Sequence, residues 1–125
     1  MCLGLLYLVM ISSQKINTFT FFKLPSAWWC GVRCRKIDTD LCLVSVRHMW
    51  FNQNPFNSMY FAVQAMAAEL STGALVMAAI KESGARVSML VANNEASFTK
   101  KATGKITFTC SNGIAIKETI LKSIQ

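Results

Sequence analysis

Histidine, proline and acidic residues are scarce in this sequence of 125 residues. It contains one histidine, His48, and two prolines, and 6 acidic residues stand against 13 basic ones, for a formal net charge of +7. One histidine and no pair of cysteine motifs leave too few ligands for a tetrahedral zinc site. Because His48 lies in a strand-like stretch, we expect it to be structural rather than part of a Ser/His or Cys/His nucleophile. We predict neither a metal site nor a cofactor.

The basic surplus suits phosphate-bearing partners, which include nucleic acid, anionic lipid and a small molecule with a nucleotide tail. The basic residues are scattered, with no long run and no stripe interleaved with aromatic residues. A solvated surface is the ordinary interpretation of such single charges. We therefore rank a nucleic-acid partner last.

The cysteines and the amino-terminal stretch bear on location. The chain has five cysteines, an odd number, and no secretory cleavage pattern. We therefore expect no disulfide framework, and we expect a reducing, cytoplasmic location. Residues 1–14 are apolar but too short to span a bilayer. We interpret them as an extension that precedes one domain over residues 15–125.

One long apolar segment dominates the chain. Between Arg47 and Lys81 the only formally charged side chain is Glu69. The pattern predicts a helix from about Ser58 to Glu82, capped by Asn57 or Ser58 and buried on most sides. Ser83-Gly84 is predicted to end it, in the manner of a C-terminal glycine stop. Many of its residues are small, which allows close packing against a sheet. Since burying an isolated carboxylate is costly, Glu69 requires an explanation.

Strand-like patterns lie on both sides of this helix. The stretch 40–50 alternates in polarity, and residues 105–111 alternate strictly. Residues 86–101 are predicted to form a further strand, joined to the last one by a short hairpin link. Residues 114–125 are predicted to form an amphipathic helix. The order indicates an α+β architecture in which a sheet is wrapped around the central helix.

The stretches NPFNSMYFAVQAMAAELSTGAL and VSMLVANNEASFTKKATGKITFTCSNG, with FFKLPSAWWCGVR upstream, resemble the hotdog-fold acyl-CoA thioesterases of the phenylacetyl-CoA thioesterase type. The nearest branch is the one described as domain of unknown function 4442. The resemblance implies a hotdog fold, in which a long central helix is wrapped by a curved antiparallel sheet. The resemblance also implies further strands after residue 125, so we expect either that the sequence is truncated there or that another chain completes the sheet.

The resemblance also implies that two chains pair, as a homodimer or a dimer of dimers, and that acyl-CoA or a related thioester binds between them. Glu69 matches the acidic residue that active relatives carry on the helix, and Asn54 matches the Asn that precedes it. We expect Glu69 to act as general base or nucleophile and Asn54 to orient water or substrate. Substrate contacts are expected from residues near the first helical turn, further along the helix and at the rim: Tyr60, Phe61, Ala62, Ser71, Thr72, Lys100 and Lys101.

The sequence departs from the family pattern at the first helical turn. Relatives have His-Gly-Gly where this chain has Tyr60-Phe61-Ala62. A glycine pair allows a thioester carbonyl to approach free backbone N–H groups, and larger residues crowd that approach. Glu69 lies seven residues beyond Ala62, roughly 10 Å along a helix axis. If both groups act on one carbonyl, they must come from two chains.

Two other functions compete with hydrolysis. A non-catalytic hotdog module that binds acyl-CoA or another acyl ligand is favoured by the absent His-Gly-Gly. A small membrane protein could use residues 59–80 as a span, although a carboxylate at the centre of a span costs about 2.5–3.5 kcal/mol. We therefore expect no membrane span. A buried glutamate held by structural hydrogen bonds is the purely structural alternative for Glu69.

Overall fold

The hydrophobic patterns of the sequence produce a mixed α+β fold in a computed structural model, which describes residues 12–125. The predicted extension, residues 1–14, lies almost wholly outside the described residues. Three strands form one antiparallel sheet in the order β1–β2–β3. The elements follow one another as α1 (Ser13–Lys23), α2 (Pro25–Trp29), β1 (Arg33–Ile37), β2 (Cys42–Arg47), a 3₁₀ turn (Trp50–Asn52), α3 (Phe61–Ser83), β3 (Lys105–Cys110) and α4 (Gly113–Ile124).

The core lies between β2 and the long helix α3. Cys42, Val44 and Val46 alternate along β2 and are fully or almost fully buried, as the sequence pattern predicted. The buried side chains of α3 are small or aliphatic, so the helix approaches the sheet closely. They are Val63, Ala67, Leu70, Ser71, Gly73, Ala74, Leu75 and Ala79.

The two ends of α3 differ in how well the sequence predicted them. Gly84 ends the helix in the left-handed conformation, with φ of 72°, as the Ser83-Gly84 signal predicted. The predicted start at Asn57 or Ser58 is wrong, because α3 begins at Phe61 with Tyr60 as its N-cap and no side-chain capping hydrogen bond. Asn57 has a positive φ, and Met59 forms a β-bridge with Gln53, so residues 57–59 cannot adopt the conformation of a helix start.

The strand predicted over residues 86–101 is absent, and with it the predicted hairpin to β3. The end of this stretch, with Ala102 after it, lies beside the start of α3 instead. The Met59 amide donates to the Ala102 carbonyl at 2.8 Å, and the rings of Phe61 and Phe98 lie 5.5 Å apart. Among the described residues, β3 therefore pairs only with β2.

An amide side chain closes the outer edge of β1. Asn17 on α1 donates from Nδ2 to the Cys34 carbonyl at 2.9 Å, and its Oδ1 accepts from the Cys34 amide at 2.7 Å. This pair of bonds imitates the pairing of a neighbouring strand. It fixes α1 against the sheet and satisfies one residue of an edge strand that the sequence analysis did not identify.

The predicted amphipathic helix at the carboxyl end is confirmed as α4, and its first residue contacts the β1–β2 turn. The Gly113 amide donates to the Asp40 carbonyl at 3.0 Å. Asp38 shapes this turn, since its Oδ1 accepts from the amides of Asp40 and Leu41 at 2.9 and 2.8 Å. These backbone hydrogen bonds hold the pKa of the Asp38 carboxyl below its usual value.

Replacing Asn17 with Ala should destabilise the protein by about 1–3 kcal/mol, because it leaves the amide and carbonyl of Cys34 unpaired. The free energy of unfolding in a denaturant titration measures this. Asn112→Ala is the matched control, since the Asn112 side chain makes no capping hydrogen bond to α4. Equal losses in the two variants would contradict the role of Asn17 at the strand edge.

Gly113→Ala should lower the melting temperature clearly, because the added Cβ would collide with the Thr39 carbonyl and the Asp40 backbone. The comparison is Gly73→Ala, a glycine within α3 where a Cβ would lie 3.6 Å from the end of the Met89 side chain, an ordinary contact. Alanine has the higher helix propensity, so Gly73→Ala should retain or raise the melting temperature. A harmless Gly113→Ala would show that α4 does not depend on this close approach.

Candidate functional site

A groove of about 360 Å³ runs between the α1–α2 pair and the middle of α3. The two short helices turn sharply at Leu24-Pro25, where Pro25 begins α2. Among residues 12–125, Glu69 and Lys23 are the only charged side chains that line this groove, and the others are mostly apolar. The lining consists of Phe19, Lys23, Leu24, Pro25, Ser26, Ala27, Met66, Glu69, Leu70, Gly73, Met77 and Met89.

Glu69 is exposed on α3 within one chain, which corrects the expectation that the chain buries it. Its neighbour Leu70 is buried in the core cluster, whereas Glu69 lines the groove beside the α1–α2 pair. The carboxylate is therefore accessible to water and to a ligand in the groove. Within a single chain it carries no burial cost that would need a partner to offset it.

Asn54 holds the loop that leads into α3. Its Oδ1 accepts from the Phe56 amide at 2.9 Å and from the Ser58 amide at 3.2 Å. Its Nδ2 donates to Ser58 Oγ at 2.9 Å. The side-chain amide thus ties together the loop over residues 54–58. This contact pattern belongs to an Asx turn, a structure that the asparagine side chain stabilises by itself.

The residues of the first helical turn lie largely at the surface. Tyr60 and Phe61 are about half exposed, and Ala62 is half-buried. Phe61 makes its T-shaped contact with Phe98 on the side of the turn that faces the 98–105 segment. Phe61 and Ala62 therefore occupy the positions where the resemblance implies glycines, and Tyr60 occupies the position of the histidine.

Ser71 and Thr72 differ in what their hydroxyl groups can do. Ser71 is buried and donates its hydroxyl to the Ala68 carbonyl at 2.6 Å, within the helix. Thr72 is exposed and lies three residues from Glu69, so the two share one side of α3. Of the pair, Thr72 is therefore the one beside the carboxylate.

Lys100 and Lys101 are exposed near the start of α3, and Lys101 Nζ donates to the Phe56 carbonyl at 3.1 Å. Phe61, at this end of α3, precedes Glu69 by eight residues, roughly 12 Å along the helix. One chain therefore forms two separate groups. Asn54, Tyr60, Phe61, Ala62, Lys100 and Lys101 lie at the start of α3, whereas Glu69 and Thr72 lie near its middle.

The sequence analysis did not identify the residues opposite Glu69. Lys23, Pro25 and Met89 reach the groove because the α1–α2 pair and the 85–104 segment fold over α3. These residues are distant from Glu69 in sequence, and no spacing motif links them to it. The Leu-Pro break between the two short helices was the one available signal that they form an angle.

The buried Cys42 does not supply a nucleophile. Cys34 and Cys42 lie with their sulfurs 4.0 Å apart in the core. The hydrogen bond with Cys34, and then burial, raise the pKa of the Cys42 thiol far above its ordinary range. Cys42 therefore stays protonated at neutral pH and lacks the thiolate that nucleophilic attack requires.

Comparison with known proteins identifies a family and one fold relative. The family model described as "Domain of unknown function (DUF4442)" matches residues 12–118. A crystal structure of a protein of unknown function from Chlorobaculum tepidum is similar, with a TM-score of 0.70 and 18% sequence identity. The match covers 79% of this chain and 60% of that one, so this chain spans well under two thirds of its relative's length. No curated protein matches the chain significantly.

Asn54→Ala should destabilise the fold by about 1–3 kcal/mol, because the amides of Phe56 and Ser58 lose their acceptor. Asn54→Asp retains that oxygen and should cost less. The free energy of unfolding of both variants distinguishes a structural asparagine from one used only with substrate. Wild-type stability in Asn54→Ala would contradict the structural role.

Proposed function

Because the chain belongs to the family described as domain of unknown function 4442, we propose that it is a hotdog-fold, acyl-CoA thioesterase-like protein. The observation that carries this proposal is the single carboxylate of Glu69 beside an apolar groove on the central helix. Ligand sites are typically apolar clefts of about 300–1,000 Å³ with a few polar groups, and this groove lies near the lower end. The α+β arrangement of a long helix against an antiparallel sheet is compatible with the hotdog fold.

The proposed reaction is hydrolysis of a thioester. With Glu69 as general base, the carboxylate takes a proton from water, and the resulting hydroxide forms a bond to the acyl carbonyl carbon. The carbon–sulfur bond then breaks, and the departing thiolate takes up a proton to give free CoA and the carboxylic acid. With Glu69 as nucleophile, the carboxylate attacks the carbonyl carbon and the carbon–sulfur bond breaks, which releases the thiolate and leaves an acyl-enzyme anhydride. Water then hydrolyses the anhydride to the carboxylic acid and the Glu69 carboxylate, and the proton released goes to the thiolate.

The reaction is proposed to use two chains. Thr72 and the apolar groove accompany Glu69 in one chain, whereas the amides of the first α3 turn are roughly 10 Å or more away along the same helix. A partner's first turn, placed opposite Glu69, would supply N–H groups to the developing oxyanion. Lys100 and Lys101 lie near that turn, where they would meet the phosphates of CoA. This arrangement is a homodimer or a dimer of dimers in the cytoplasm.

A non-catalytic acyl-binding module is the second candidate. The exposed side chains of Tyr60 and Phe61 favour it, because they stand beside the helix start that an oxyanion would approach. The groove could still hold an acyl chain against Met66, Met77 and Met89, whose flexible thioethers adapt to varied apolar shapes. Binding without turnover would support this candidate.

A membrane-spanning role has less support. Among the described residues, α3 is the one helix long and apolar enough to cross a bilayer. Eight of its residues are buried within the chain, and it packs on β2 through them. A core helix of this composition passes the same test of length and hydropathy.

Glu69→Gln should lower thiol release from acyl-CoA by about 10²–10⁴-fold, the range lost with a general base. The measurement is the rate of free CoA formation across short, medium, long and aryl acyl groups. Because Glu69 is exposed and no hydrogen bond or salt bridge of its side chain is seen among residues 12–125, the variant should fold as the wild type does.

Glu118→Gln is the matched control, since Glu118 is exposed on α4, and it should retain the wild-type rate. A full rate in Glu69→Gln would remove Glu69 from the mechanism. Acyl-CoA binding by calorimetry, with no thiol released by the wild type, would select the non-catalytic module.

A further inference from the structure

Six exposed aromatic side chains gather at one end of the molecule, which we call the aromatic end. Trp50 and Phe56 are 78% and 72% exposed, far more than a packed aromatic side chain would be. Backbone contacts bring the segments 47–61 and 98–105 together there, including a 2.8 Å bond from the Tyr60 amide to the Asn52 carbonyl and the bond from Met59 to Ala102. The aromatic end comprises Trp50, Phe51, Phe56, Tyr60, Phe61 and Phe98.

The same two segments contain four basic residues and no acidic one. Arg47, Lys100, Lys101 and Lys105 are all exposed, and within residues 12–125 none of them forms a salt bridge. Arg47 and Lys105 are directly opposite each other in the β2–β3 register. Like charges in that position repel and destabilise a sheet. An anion at this end would relieve that repulsion.

Aromatic rings among uncompensated cations are the composition of protein surfaces that lie in the interface of a bilayer. Trp, Tyr and Phe occupy the headgroup level, and each Lys or Arg near an anionic surface adds about 1 kcal/mol of attraction. We propose that the aromatic end docks on the surface of a membrane that contains anionic phospholipid. The rings enter the headgroup region, and the four cations contact the lipid phosphates and carboxylates.

A second copy of the chain is a poorer occupant of this surface. If the aromatic end packed against itself across a two-fold axis, four cations of one chain would lie beside four cations of the other, with no carboxylate in segments 47–61 and 98–105 to separate them. Such an interface places like charges together, which costs several kcal/mol. The dimer proposed above is a different contact, because it places the first turn of α3 against the partner's Glu69. The acidic residues of the chain lie outside segments 47–61 and 98–105.

Single-stranded nucleic acid is also disfavoured, because it needs open ring faces on which bases stack. Trp50 and Phe51 are 5.5 Å apart with their planes at 70°, and Phe61 meets Phe98 at 81°. In each T-shaped pair one ring directs its edge at the other's face, so that face is occupied. A lipid interface sets no requirement on ring orientation.

The test is co-sedimentation of the full chain with vesicles of phosphatidylcholine alone and of an equal mixture of phosphatidylcholine and phosphatidylserine. The wild type should sediment with the mixed vesicles and not with pure phosphatidylcholine, and added salt should weaken the binding. Lys100→Gln combined with Lys101→Gln should lower the partition coefficient about fivefold per charge removed. Trp50→Ala combined with Phe51→Ala should lower the partition coefficient by more than the lysine variant does, while leaving its salt dependence in place.

The control variants lie on α4, at the opposite end of the sheet. The Gly113 amide donates to the carbonyl of Asp40, which precedes β2. Arg47 lies at the other end of that strand, about 17 Å from its first residue, Cys42. Ile114→Ala removes an apolar side chain that is 61% exposed there, and Lys122→Gln removes an exposed charge. Both should bind vesicles as the wild type does.

Several results would overturn the proposal. Equal binding of the wild type to both vesicle types, or binding to neither, is one, and an equal loss of binding in the α4 controls is another. Binding of a single-stranded RNA in place of vesicles would also overturn it, and so would a dimer that becomes monomeric in Trp50→Ala/Phe51→Ala in a sedimentation-velocity experiment. The proposed enzymatic function assigns Lys100 and Lys101 to the phosphates of CoA, so vesicle binding is measured without acyl-CoA and thiol release is measured separately. A wild type that releases thiol but binds no vesicles overturns the membrane proposal alone, and one that binds vesicles but releases no thiol overturns the enzymatic proposal alone.

Discussion

The close packing of α3 on β2 is the contact on which the rest of the structure depends. Along the helix, the buried alanines at positions 67 and 74 bring its backbone near the sheet, and Val44 and Val46 belong to the same core cluster. A helix this apolar must be covered, and in 125 residues the sheet is the largest surface available to cover it. The α1–α2 pair and α4 then occupy the flanks of α3, and the groove beside Glu69 lies between these layers.

The sequence predicted the elements whose pattern is local. The strict alternation from Lys105 to Cys110, the run from Cys42 to Arg47 and the glycine stop after Ser83 each express a periodicity or a dihedral preference. The amphipathic spacing of α4 is of the same kind. The start of α3 was missed because Asn54 organises the preceding loop through side-chain hydrogen bonds that compete with helical capping.

The other errors concern contacts between distant segments. Residues 86–101 have the composition of a strand. Phe98 contacts Phe61 at the start of α3. Met89 lies near Gly73 in the middle of the helix, so the stretch runs along α3 and does not pair with β3. β1 was missed because its edge is completed by Asn17 of a helix rather than by a recognisable strand partner. Glu69 was expected to be buried because its neighbours are apolar, yet it is exposed at the groove between α3 and the α1–α2 pair. The catalytic roles of Glu69 and the other site residues stay predictions.

Asn17 also makes the two edges of the sheet differ in how readily each can pair with a further strand. One edge residue of β1, Cys34, has both backbone groups engaged by the Asn17 side chain, while the far side of β3 has no neighbouring strand within residues 12–125. Further strands, whether from the same polypeptide or from another molecule, therefore add most readily beyond β3. The architecture is blocked on one flank and extensible on the other.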